Sequence, residues 1–256
     1  MKPDTSRPEF QRIRLLLGGE VTAALAQTQV VVVGLGGVGS WAAEALVRCG
    51  IGRITIIDND TVCPSNINRQ IQALPGTVGI PKAAALLKRL LEINPLCEVS
   101  AFNKIFSSET APLFGIEQAD YVIDAIDSIP HKLDLILYVS SLRPVLFSSM
   151  GMAQKIDPTR IRTADIWDTR GCPLARLVRQ GLKERGHTGH FTAVYSDEQL
   201  PRLEAISFAE GSGGKKIVNG SIVTVTAAAG MVLASLVIRD VTQKLNTAAG
   251  DSAAHG

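Results

Sequence analysis

The stretch Gln29-Val30-Val31-Val32-Val33-Gly34-Leu35-Gly36-Gly37-Val38-Gly39-Ser40 decides how the rest of the chain is read. Its first part is an uncharged β-branched run, which suits a strand covered on both faces. Its second part matches G-x-G-x-x-G, and a helix is expected from about Trp41 to Cys49. Glycines at Gly34, Gly36, Gly37 and Gly39 permit a tight turn and close backbone approach. The helix start behind them presents amide groups and positive potential to a phosphate. The next strand, Arg53-Ile54-Thr55-Ile56-Ile57, closes on Asp58, placed to accept a hydrogen bond from a ribose hydroxyl. Up to this point an NAD dehydrogenase fits as well as any other nucleotide-binding protein.

Outward from that unit, strand and helix alternate. Helix is expected from Pro81 and Lys82 to Ile93 and from about Ile129 to Ser141. Strands are expected at Glu98–Phe102, Tyr121–Asp124 and Val145–Ser148. Alternation of this kind predicts an α/β fold with a doubly wound, mostly parallel sheet and right-handed crossovers. Residues 1–28 read as an arm followed by helix. Beyond Met150 the pattern turns mixed, with strand-like Arg160–Thr163, helix-like Leu174–Arg185, strand-like Phe191–Tyr195 and glycine-rich Gly211–Gly214. No long linker interrupts it, so residues 1–245 are expected to form one domain. That domain has a Rossmann-like nucleotide-binding half (1–150) and a mixed α/β substrate half (151–245). The small-residue segment 246–256 is expected to be a disordered tail.

Composition narrows the class. The 256 residues are 46% hydrophobic and 20% charged, with 26 basic against 24 acidic side chains, so a full core is available and wholesale disorder is excluded. Cys49, Cys63, Cys97 and Cys172 form no C-x-x-C pair, which removes the usual structural zinc site. The charged start of the chain does not resemble a signal peptide, and a cytoplasmic location is expected. Ser221 to Ile238 carries no charge, but its Ser and Thr content favours a helix packed on the sheet over stable membrane insertion.

The residues after Asp58 separate two kinds of ligand. Asp58-Asn59-Asp60 is followed by Ser65-Asn66-Ile67-Asn68-Arg69-Gln70, and Lys82 opens the next helix. A nicotinamide half needs an open apolar slot, whereas a triphosphate needs cations, and Arg69 and Lys82 supply them. A solvated charged loop is the alternative.

Gly34–Ser40, Asp58–Asp60, Ser65–Gln70, Lys82 and Asp124-Ala125-Ile126-Asp127-Ser128 together resemble the ubiquitin-activating-type adenylyltransferase superfamily, which includes the enzymes that activate sulfur carriers. The resemblance implies that Arg69 and Lys82 bind ATP phosphates and that Asp127, the second acid of the D-x-x-D motif, holds Mg²⁺. By its residue type Asp127 also suits a helix cap. Arg12, with Arg14 as competitor, matches the arginine that reaches the partner subunit's ATP, which implies a homodimer. Asp60, Asn66, Asn68 and Gln70 complete the implied nucleotide contacts.

Within the superfamily, the chain is most similar to the tRNA threonylcarbamoyladenosine dehydratases. Trp41–Leu46, Ile93-Asn94-Pro95, Lys155-Ile156-Asp157-Pro158-Thr159, Cys172–Ala175 and Val194-Tyr195-Ser196 carry that likeness. It implies adenylation of the threonyl carboxylate, then ring closure by a carbamoyl heteroatom of the same substituent, which needs no protein nucleophile. The departures are the steps Ser148–Ala153 and Gly214–Asn219, which place an obligatory protein thiol in doubt and leave Cys172 as the thiol to watch. A monovalent cation site and a cysteine-desulfurase/sulfur-acceptor system as partner are left open by the sequence. The charge map agrees with an RNA substrate. Nine basic residues face four acidic ones between Arg143 and Arg185, and Lys155, Arg160, Arg162, Arg176, Arg179 and Lys183 are the expected tRNA contacts. A carrier-protein adenylyltransferase and a non-catalytic nucleotide-binding scaffold are the alternatives.

Overall fold

The run Gln29–Val33 forms strand β1 at the centre of the molecule, and its alternation sorts the two cores. Val30 and Val32 point into one apolar layer and Val31 and Val33 into the other, all 2% exposed or less. The computed structural model describes residues 7–200, 207–210, 214–217 and 219–253. In chain order the elements are α1 (Gln11–Leu17), α2 (Gly19–Leu25), β1, α3 (Gly39–Arg48), β2 (Arg53–Ile57), α4 (Lys82–Ile93), β3 (Glu98–Phe102), β4 (Tyr121–Asp124), α5 (Ile129–Ser140) and β5 (Val145–Ser149). There follow β6 (Ile161–Asp165), α6 (Pro173–Glu184), β7 (Thr192–Ser196), a hairpin of β8 (Ser207–Glu210) and β9 (Gly214–Ile217), and α7 (Val223–Ala253).

Seven strands pair in the order β3-β2-β1-β4-β5-β7-β6, all parallel except β6, which runs antiparallel to β7. The expected doubly wound sheet is present, and strands from both halves of the chain share it. One face is covered by α2, α3, α4 and α7 through Leu25, Leu46, Leu86 and Leu233. The other is covered by α5 and α6, with Phe106 and Phe114, through Ile136 and Val178. After β1 the chain winds toward β2 on the first face. After β4 it winds toward β5 on the second. The sheet therefore reverses its winding between β1 and β4, and the crevice at their carboxyl ends is where an open α/β sheet binds ligand.

Several boundaries differ from the sequence reading. The N-terminal helical segment is two short helices broken at Gly18. The apolar segment from Ser221 onward is α7, and it continues to Ala253, so the tail expected over 246–256 is helical through that residue. The physical reason is composition: Gln243-Lys244-Leu245-Asn246-Thr247-Ala248-Ala249 holds no proline, and the helix simply propagates. Gly211–Gly213 of the expected glycine-rich step lies outside the described residues. The helix is one-sided rather than wholly buried. Val225, Ala229, Leu233, Val237 and Val241 recur every four residues and are buried, while Met231 is 44% exposed. Residues Val223–Thr247 are long and apolar enough to cross a membrane, yet here the stripe is packed on α3 and Tyr121 donates to Asp240 at 2.8 Å.

The crossing of α3 and α7 is close because Gly230 has no side chain. A Cβ there would lie 2.5 Å from the Val38 carbonyl oxygen and 2.9 Å from the Ala42 nitrogen. Gly230→Val is expected to lower unfolding free energy by about 1–3 kcal/mol through overpacking of backbone against backbone. Urea unfolding measures it, and an unchanged midpoint would refute the tight crossing.

Candidate active site

The glycine turn between β1 and α3 can be made only by glycine at two of its positions. Gly34 sits at φ +89°, and a Cβ on it would lie 2.7 Å from the Ala125 carbonyl oxygen. A Cβ on Gly39 would lie 1.9 Å from the Gly34 carbonyl oxygen. Gly36 is different, for a Cβ there would meet open space. The turn is thus packed underneath and vacant above, where its amides can be approached. Its middle residue is gripped on both sides: the Leu35 N–H donates to Asp58 Oδ2 at 2.6 Å, and Gln72 Nε2 donates to the Leu35 carbonyl at 2.8 Å. Sequence reading missed Gln72, which is 2% exposed and thirty-seven residues from its partner.

Asp58 also accepts from the Asp60 N–H at 2.8 Å. Burial pushes its carboxyl above the ordinary carboxylate range, while the ammonium of Lys82, 4.0 Å away, and these two N–H groups pull it back. Lys82 opens α4 with its side chain 8% exposed, and its ammonium pairs with Asp60 Oδ2 at 2.7 Å. Arg69 lies against the turn, its Cγ 3.2 Å from where a Cβ of Gly37 would be, and donates to Ser65 O at 2.8 Å and Asn68 Oδ1 at 2.9 Å. Burial lowers its guanidinium pKa, and the charge of Asp127, the second acid of D-x-x-D, raises it.

The amides serve the loop as well. Asn66 accepts from the Cys63 N–H at 3.1 Å, and Asn68 donates to the Ser221 carbonyl at 2.9 Å, joining this loop to the start of α7. Gln70 is 5% exposed, and its Oε1 has no partner among the described residues. Asp127 is exposed, and Ser128, which occupies the cap position of α5, makes no side-chain bond to the helix amides. The described residues hold no group of three or more His, Cys, Asp or Glu fit for a metal cage. A single exposed carboxylate beside a phosphate site nonetheless suits Mg²⁺, which is commonly held by one or two carboxylates and the substrate's own phosphates.

The expected basic contacts divide into used and unused charges. Lys155 is corrected: it is 7% exposed, points inward and donates to the Glu198 carbonyl, while the Glu198 carboxylate accepts from the Ile156 and Asp157 N–H groups at 3.0 and 3.1 Å. A buried ammonium already serving a carbonyl has nothing to offer a phosphate. Arg179 is partly buried and donates to the Thr169 carbonyl at 3.0 Å. Arg160 and Arg162 share Asp197, at 2.8 and 3.9 Å. Arg176 and Lys183 stand exposed on α6, with the Lys183 ammonium 5.9 Å from the centre of the Trp167 ring. Cys172 is 5% exposed within the second core layer. Arg12 is exposed on α1, on the same short helix as Leu15 and Leu16, which are 80% and 82% exposed.

Open space above Gly36 in a glycine turn at the winding switch, with Arg69 against the turn and Lys82 close to Asp58, defines a nucleotide-binding α/β protein. The chain belongs to the ThiF family, which matches it over residues 10–254. The tRNA threonylcarbamoyladenosine dehydratase of Bacillus subtilis is 44% identical over 190 residues, 74% of this chain and 75% of that protein. The crystal structure of the Escherichia coli tRNA N6-threonylcarbamoyladenosine dehydratase in complex with ATP has a TM-score of 0.85 at 35% identity, covering 96% of this chain and 99% of that one. The sulfur carrier protein adenylyltransferase of Thermus thermophilus is similar over a shorter span, 38% identical over 131 residues and 51% of this chain.

Two glycines of the turn should respond differently to a methyl group. Gly36→Ala is expected to keep the parental melting temperature and weaken ATP binding at least tenfold. Gly39→Ala should lower both. Calorimetric titration with ATP beside a thermal melt measures the pair, and parental affinity in a folded Gly36→Ala would remove the vacancy from the nucleotide site.

Proposed function

We propose that this chain is an ATP-dependent tRNA threonylcarbamoyladenosine dehydratase, which converts the modified adenosine at position 37 of certain tRNAs to its cyclic form. The observation that carries the reading is the likeness over 96% of the chain to a dehydratase solved with ATP, on a fold whose own glycine turn stands at the winding switch with Arg69 against it. The carrier-protein reading has a match over only half of the chain behind it.

The chemistry follows from the substrate. A free carboxylate is a poor electrophile, so ATP adenylates the threonyl carboxylate and pyrophosphate leaves. The amides of the turn from Gly36 onward and the guanidinium of Arg69 take the phosphates, and Lys82 closes the site from the start of α4. Asp127 is the residue to hold Mg²⁺, which when bound offsets charge on the phosphates. A carbamoyl heteroatom of the same substituent then attacks the acyl-adenylate and AMP leaves. Because that nucleophile is tethered, proximity supplies much of the rate. The buried Cys172 takes no part.

Arg12 acts in trans in this reading. It sits beside two exposed leucines whose burial would stabilise a homodimer, and each site borrows the arginine of its neighbour. The tRNA meets the exposed charges of α6, Arg176 and Lys183, with Arg160 and Arg162 contributing through charge that Asp197 only partly offsets. Such an enzyme works in the cytoplasm, with its tRNA.

Incubation with threonylcarbamoyladenosine-bearing tRNA and ATP should yield a nucleoside lighter by one water, detected by mass analysis. An unchanged nucleoside with ATP consumed on a small carrier protein would favour the other reading. Asp127→Ala should abolish the product while leaving tRNA affinity near the parental value. The double reversal Arg176→Glu/Lys183→Glu should do the opposite, weakening tRNA and reducing the magnitude of the log–log salt slope by roughly 0.9 per lost phosphate contact. A tRNA titration at several salt concentrations reads it, and an unaltered slope would take α6 off the tRNA face.

A further inference from the structure

Lys132 is fully buried, and nothing in the proposed chemistry uses it. It lies one turn into α5, where its N–H donates to the Ser128 carbonyl at 2.9 Å, and its side chain folds back beneath its own loop. Its ammonium reaches Asp124 Oδ2 at 2.7 Å, the Ser149 carbonyl at 3.0 Å and Ser148 Oγ at 3.4 Å. The Ser148 hydroxyl donates to the same carboxylate oxygen at 2.6 Å, and the other oxygen accepts from the Ile126 N–H at 3.0 Å. Asp124, Lys132 and Ser148 are each 0% exposed.

Taking two charges out of water is expensive, and well-packed apolar replacements for a buried ion pair are often neutral or stabilising. Stability alone is therefore a weak reason for a lysine and an aspartate here. Their place in the fold suggests another. Asp124 ends β4, the strand beside the glycine turn, and pairs in register with Val33 on one side and Ser148 on the other. The chain continues through Ala125, whose N–H donates to Val33 O at 2.8 Å and whose carbonyl packs under Gly34. Two residues later comes Asp127, exposed on the same loop. The loop between Asp124 and Ser128 is therefore held from below at both ends.

We propose that the buried Lys132–Asp124–Ser148 cluster is a positioning device for the nucleotide site, fixing the 124–128 loop so that Asp127 and the floor of the glycine turn stand ready for ATP. Lys132 touches neither ligand nor reacting atoms. It acts through the loop it ties down. The inference rests on the nucleotide part of the proposed function, and its readout is ATP binding rather than tRNA product.

The double variant Lys132→Met/Asp124→Asn removes both charges and leaves no lone buried ion. It is expected to melt near the parental temperature, bind ATP at least tenfold more weakly by calorimetry, and raise KM for ATP in pyrophosphate exchange more than it lowers kcat. A structural defect alone would lower the folded fraction, and so kcat, at parental KM. A folded double variant with parental ATP affinity overturns the proposal. Should the double variant fail to fold, Ser148→Ala decides, since it removes only the hydroxyl that orients Asp124. At least threefold weaker ATP binding at an unchanged melt supports the proposal, and parental affinity overturns it. A parental chain that binds ATP but makes no cyclic nucleoside sinks the dehydratase reading and leaves this one standing. A parental chain that binds no ATP sinks both.

Discussion

The backbone of Ala125 lies where a side chain of residue 34 would be, and the site depends on that contact. Two turns at the carboxyl ends of adjacent strands nest against each other only because Gly34 carries no Cβ and adopts a left-handed φ that other residues resist. Once they nest, the Gly34 carbonyl closes on Gly39 and α3 begins at once, with no room for an intervening side chain. Asp58 and Gln72 then hold the two sides of the Leu35 peptide, so the turn is rigid from beneath and open at Gly36. Position and vacancy have one cause.

The charges around that vacancy are arranged in partial balance. Lys82 pairs with Asp60 and approaches Asp58, and Arg69 feels the charge of Asp127. Asp60 and Asp58 keep the buried Lys82 from being left as a lone charge. These carboxylates would also oppose a triphosphate bound there, and a divalent cation held between a carboxylate and the phosphates would offset that repulsion. A nicotinamide ring, which carries no anionic group, would gain nothing from Arg69 and Lys82.

Most of this was legible in sequence because it is written in short-range patterns. The run Gln29–Val33, the glycines behind it and Asp58 at the end of the next strand fixed β1, α3, β2 and the switch point. The charge count was less informative, because a charge becomes available or spent through partners far along the chain. Lys155 is taken by the carbonyl of Glu198, and Arg160 and Arg162 by Asp197, none of them neighbours in sequence. Arg179 recurs at helical spacing with Arg176, yet one turn of rotation brings it to Thr169 instead of solvent. Lys132 was invisible for the opposite reason: at the start of a helix it reads as an ordinary solvated lysine, and only the fold brings Asp124 and Ser148 beneath it. The helical end of α7 was missed because small residues suit a helix and a loose tail alike.

The second half of the chain is joined to the first through α5. That helix starts at the D-x-x-D loop, and its Leu133, next to Lys132, packs into α6 where Gly181 leaves space, a Cβ there falling 2.4 Å from a Leu133 methyl. One side of α6 thus shares a core with the helix that anchors Asp127, while the other carries Arg176 and Lys183 into solvent. Under the proposed function, a large anionic substrate gripped on the outer side would be held by the same pair of helices that sets the loop carrying Asp127. Because packed interiors transmit displacement with little compliance, a substitution that enlarges residue 181 would shift the outer charges relative to Asp127 without touching either. The spacing between the exposed charges of α6 and Asp127 is set by a glycine in the α5–α6 contact, on neither surface.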